Sequence, residues 1–144
     1  MAPQVTTVLR PRPGHGHNGG VSPRYTIEEA DALVPEVAGR MARLFDLQQE
    51  AAARLALARR RARGNGHGGG LDPEVAGNIA EGLEWFEERG LEVRGTAPPL
   101  VDFPARYGGR DVLLCWTEGE ERIGWYHLPE EGFAGRRPVE ELRG

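Results

Sequence analysis

From Tyr25 the chain reads "YTIEEADALVPEV", and it opens a segment in which Ala30, Val34, Val37, Met41, Leu44, Gln48, Ala51, Leu55 and Ala58 recur at alternating steps of four and three residues. That spacing lines one face of a single long α-helix, and such a face needs an equally long surface to lie on. The start is well specified. Thr26 and Glu29 form a capping box, while Glu28 and Asp31 add negative charge at the positive end of the helix. The pattern predicts a helix over 26–63, roughly 57 Å at ~1.5 Å per residue. Pro35 falls inside it and is expected to bend it or split off a short first helix. Arg59, Arg60, Arg61 and Arg63 cluster at the far end, where cations suit the helix dipole.

A glycine-rich loop, "GNGHGGG" at residues 64–70, separates this helix from a second over 72–89. Asp72 is its N-cap and Pro73 its first helical residue, Val75, Ile79, Leu83 and Phe86 form its apolar stripe, and Gly90 is a natural stop. At roughly 27 Å it can form an antiparallel hairpin only with the second half of the first helix. The part near Pro35 then needs another partner.

That partner is expected in the C-terminal third. Gly108-Gly109 and Gly119-Glu120 each offer glycine where a two-residue hairpin loop needs positive φ. They predict three strands, near 100–105, 111–117 and 122–128. The implied register sets Phe103 opposite Leu114 and Val101 opposite Trp116. In the second hairpin Leu114 then faces Trp125, and Val112 faces His127. Val101, Phe103, Ala105, Val112, Leu114, Trp116, Ile123 and Trp125 would share one apolar face ending at His127, with Asp102, Cys115, Gly124 and Tyr126 on the other. The fold class read from these patterns is α+β: a long helical hairpin packed on a small antiparallel β-meander of about three strands.

The rest of the composition sets bounds. With 144 residues, 21 glycines and 11 prolines, the chain suits one modest core over 24–144 preceded by a flexible arm over 1–23. All 18 basic side chains are arginine, so Schiff-base chemistry and a phosphate-loop lysine are excluded. A net charge of −4 argues against a general nucleic-acid binder. One cysteine, Cys115, forms no intramolecular disulfide and fits a reducing compartment. No segment reaches the ~20 apolar residues of a membrane span, so the expected location is the cytoplasm.

Several separated motifs resemble one family. "YTIEEADALVPEV", "GLEVRG" leading to "LVDFPA", the strand "LLCW", and "IGWYH" followed by "GFAGRRP" are similar, in that order, to the prokaryotic family catalogued as domain of unknown function 2203. The resemblance runs from about Tyr25 to Pro138. It implies fold boundaries and supplies neither substrate nor catalytic residues.

Two function classes follow. The first is a non-enzymatic interaction or regulatory module that uses the helical hairpin to dock a protein partner or a second copy. The alternative is a small-anion site, for phosphate or carboxylate, around His127, Arg136 and Arg137, with Trp125 as a stacking surface and Asp102 nearby. In the register above Asp102 lies on the face opposite His127, which weakens a His–Asp pair, and Cys115 reads as a small strand residue opposite Asp102. His15 and His17 in the arm, with His67 in the loop, are flanked by glycines that hold no fixed geometry, so no metal and no cofactor is expected. The sole serine, Ser22, lies in the arm, and no reaction can be named.

Overall fold

The computed structural model describes residues 24–65 and 72–143. The arm with His15 and His17, and the glycine-rich connection with His67, lie outside the described residues. The elements are α1 (Ile27–Asn65), α2 (Pro73–Glu88), β1 (Glu92–Thr96), β2 (Pro99–Tyr107), β3 (Arg110–Thr117), β4 (Trp125–His127), β5 (Arg137–Pro138) and a final turn of helix, α3 (Glu140–Arg143). The strands form one antiparallel sheet in sequence order, five strands where three were expected. The two extra strands had little periodic signal. β1 is broken by a bulge between Val93 and Gly95, and β5 has two residues.

Both helix starts are made by their own side chains. The Thr26 and Glu29 amides each donate to the other's side-chain oxygen at 3.0 Å, and Asp72 accepts from the Glu74 and Val75 amides. Pro35 does not split α1, which continues through it, and the proline itself is exposed. Arg54 bonds Asp72 at the start of α2, Leu44 meets Gly82 and Arg40 lies over the ring of Trp85. A Cβ at Gly82 would come within 2.8 Å of Leu44, so the missing side chain is what lets the helices approach there. Positions along α1 therefore fall as those along α2 rise, and the contact covers residues 40–54 in the middle of α1, reaching only part of its expected second half. The reason lies in the seam. Ala30, Val34, Val37, Met41 and Leu44 are fully buried, whereas the next positions, Gln48, Ala51, Leu55 and Ala58, are small or polar for the most part, and past Leu47 no described residue of α1 is buried.

One face of the sheet completes this core with Val101, Phe103, Ala105, Val112, Leu114 and Trp116. Between β2 and β3 the two-residue turn is as expected: Gly108 (φ 60°) and Gly109 (φ 78°) sit in the left-handed region, and Phe103 pairs with Leu114 and Val101 with Trp116. Between β3 and β4 the expected register is wrong by one residue. Leu114 faces Tyr126, Leu113 faces His127 and Cys115 faces Trp125. The connection is a wide loop and not a two-residue turn at Gly119-Glu120. It is held by the Trp116 indole N–H on the Glu120 carbonyl and by the Ile123 N–H on Asp31 Oδ1 of α1 at 2.7 Å. Because strand side chains alternate, this single step brings Tyr126 into the core and sends Trp125 and His127 to the far face, beside Asp102 and Cys115.

Tyr25 ties the layers together. Its N–H donates to Pro104 of β2 at 2.8 Å, its hydroxyl to the Arg89 carbonyl beyond α2 at 2.6 Å, and its ring meets Phe103 edge-on. Burial pushes the phenol up to about 12, against a partial opposing pull from Arg89. An unfolded chain, with its phenol at the ordinary 10.0, loses this proton first, so the native state gives up stability as pH rises from 10 to about 12. Urea titrations across that range should show the loss, and Tyr25→Phe should lessen it. At the centre of the core, Leu114→Ala should lower unfolding free energy by about 3 kcal/mol in the same assay.

Candidate functional site

On the face of the sheet turned away from the helices, three adjacent strands place Asp102 (β2), Cys115 (β3) and His127 (β4) together. Asp102 and Cys115 are direct cross-strand partners, and His127, opposite Leu113, lies on the diagonal. The Cys115 Sγ is 3.2 Å from Asp102 Oδ1, and His127 Nε2 is 3.2 Å from Asp102 Oδ2. The three residues are 2–4% exposed, and one ligand atom from each lies within 4.8 Å of the others.

A carboxylate so buried has to be compensated. Arg94 of β1 does this, its Nε donating to Asp102 Oδ2 at 2.9 Å, and the shared bond raises the arginine's own pKa. Arg94 is the residue that the β1 bulge leaves without a cross-strand partner, which frees its side chain to turn to Asp102. The same guanidinium also reaches Glu92.

The imidazole is oriented by the chain itself. His127 Nδ1 is 2.8 Å from the Leu128 carbonyl oxygen, which can only accept, so Nδ1 carries a proton. In a neutral ring the Nε2 lone pair then points at the Asp102 carboxylate. Two acceptors facing each other at 3.2 Å need a positive centre between them, either a proton or a metal ion. Burial pushes the Cys115 thiol pKa strongly upward, and the Asp102 charge and hydrogen bond add to it. At neutral pH Cys115 is a thiol that donates to the carboxylate, a poor nucleophile as it stands.

The other residues of the expected anion site are placed differently. Trp125 shares the far face, opposite Cys115, and carries the Arg136 guanidinium over its ring at 4.9 Å. Arg136 is close enough for its charge to act on Cys115 and Glu120. Arg137 sits on β5 opposite Tyr126 and donates to Glu131 at 2.9 Å. Sequence reasoning singled out His127 and Asp102 but separated them, and gave Cys115 and Arg94 no part. The Asp102–Cys115 pairing was legible from the first hairpin. His127 joins them only through the one-residue shift.

These four residues fall inside a stretch that matches a family model over residues 24–139, described as an uncharacterized conserved protein (DUF2203). The chain belongs to that family. Tyr25, both helices and all five strands lie within the matched span, as the motif resemblance implies. No curated protein and no solved structure matches the chain.

The burial and hydrogen bonding of Cys115 make a direct prediction. The native protein should show no thiol reactive to Ellman's reagent at mild alkaline pH, and denaturant should release one per chain. A fast-reacting thiol in the folded protein would contradict the placement of Cys115.

Proposed function

We propose that this protein binds a divalent transition-metal ion of the zinc class through Asp102, Cys115 and His127. The observation that carries the reading is the gathering, within 4.8 Å, of one potential donor atom from each of three neighbouring strands, among them Nε2 of a histidine whose Nδ1–H is committed to a backbone carbonyl. That arrangement is how metal-ligating histidines are commonly held. At metal–ligand distances of about 2.0–2.3 Å, tetrahedral ligands lie about 3.3–3.8 Å apart. The two 3.2 Å separations run to different oxygens of Asp102, and one donor atom from each residue lies within 4.8 Å of the other two, so an ion would be seated by adjustment of the three side chains around it.

Charge supports a cation over an anion. A thiolate and a carboxylate together balance a 2+ ion, and the Cys115 proton leaves to solvent as the metal–sulfur bond forms. Arg94 then serves as the outer hydrogen-bond partner of the ligating carboxylate. The small-anion reading has less support: Arg94 already meets Glu92 and Asp102, and Arg137 meets Glu131, so an added phosphate or carboxylate would compete with carboxylates in place.

Cobalt substitution tests the centre on the full chain. The expected result is one Co²⁺ per chain with a sulfur-to-cobalt charge-transfer band. Cys115→Ser should abolish the band, and His127→Ala should abolish tight binding. Arg94→Ala should weaken binding by about 10–100-fold. Variants at His15, His17 and His67 serve as controls and should bind as the parent does. Binding that depends on those histidines, or that survives Cys115→Ser with its band intact, would sink the proposal.

A further inference from the structure

A second feature lies away from the Asp102 centre and does not depend on it. The end of α1 runs beyond α2, whose first turn meets α1 at Arg54. Leu57 on this end is 41% exposed, and Arg60 and Arg61, three and four residues on, share its face. Neither arginine, nor the adjacent Arg59, meets a carboxylate within ion-pair distance among the described residues. The result is a projecting helical end that offers an apolar side chain bracketed by uncompensated positive charge.

The complementary surface is on α2. Between α2 and the edge strand β1 lies a hollow of about 450 Å³, with Phe86, Leu91 and Val93 in it, and Leu83, 40% exposed, at its lip. Glu84 and Glu87 line it on the same helical face as Leu83. α2 contains no basic residue, and Glu81, Glu84 and Glu87 have no ion-pair partner among the described residues. An apolar floor rimmed by unpaired carboxylates is the counterpart of a leucine flanked by unpaired arginines.

We infer that two copies of this chain associate, the projecting end of α1 in each seating Leu57, Arg60 and Arg61 on the hollow between α2 and β1 of the other. A copy cannot do this to itself. Leu57 stands thirteen residues beyond Leu44, the residue level with Gly82, which puts it roughly 20 Å along the helix from the α2 segment that carries Leu83. Two copies laid antiparallel bring each end over the other's hollow, and a reciprocal exchange of that kind closes as a dimer instead of growing into a filament.

Sedimentation equilibrium of the full chain, at low and high salt, tests this with a charge swap. The parent should be a dimer whose dissociation constant rises with salt. Arg60→Glu/Arg61→Glu and Glu84→Arg/Glu87→Arg should each weaken self-association by on the order of 100-fold, since like charges then face one another. Mixing the two variants should restore a dimer with one copy of each, in which both pairs of surfaces match again: the reversed end of one copy meets the reversed hollow of the other, and the two unaltered surfaces meet as in the parent. Leu57→Ser and Leu83→Ser give an uncharged check on the same contacts, read with circular dichroism to confirm retained helix, and both should weaken the dimer. A monomeric parent overturns the inference, including one that instead captures basic peptides through α2 or nucleic acid through α1. So does a dimer untouched by either charge reversal, or a mixture that fails to re-associate.

Discussion

The step of register between β3 and β4 decides what both faces of the sheet can do. It is fixed at a distance, by the Ile123 amide bonding Asp31 on α1, which holds the connecting loop wide and starts β4 at Trp125. Had the strand paired one residue earlier, the phenol of Tyr126 would leave the core and the imidazole of His127 would enter it. As it stands, Tyr126 packs under the helices with its hydroxyl reaching Glu141 of α3, and His127 finds a carboxylate. A helix side chain thus sets the chemistry of the opposite side of the sheet, which is why a site on that side depends on the helical layer being folded.

Asp102 is the residue that this arrangement has to satisfy. It lies on β2 of a five-stranded sheet, almost without water, receives hydrogen bonds from β1 and β3, and lies 3.2 Å from the His127 ring of β4. Removing Arg94 or Cys115 leaves a buried carboxylate less compensated, and the contact between Asp102 and His127 is satisfied by a positive centre between them, a proton or a metal ion.

What the sequence disclosed followed the strength of its local signals. The 3.6-residue seam from Ala30 to Leu44, the capping box at Thr26 and the paired glycines at 108 and 109 each specify geometry within a few residues, and the structure bears out those elements and the β2–β3 register. β1 was hidden because its bulge breaks the two-residue period, and β5 because two residues hold no period at all. The site was half legible for the same reason. Asp102 against Cys115 follows from a turn that sequence can read. The approach of His127 depends on a long-range bond from Asp31, and that of Arg94 on the bulge, and neither leaves a mark on spacing.

β1 links these features physically. As the edge strand it would otherwise offer a free ladder of amides and carbonyls, and its bulge and its charged residues Glu92 and Arg94 blunt that edge. The same bulge separates two neighbours by purpose: Arg94 turns to the Asp102 carboxylate on the far face, while Val93 enters the hollow beside α2. Arg94 and Val93, neighbours on β1, thus lie on the two sides of the sheet, one at the Asp102 cluster and the other at the hollow. A strand with little periodic signal in the sequence is thus the one that borders both the Asp102 cluster and the hollow beside α2.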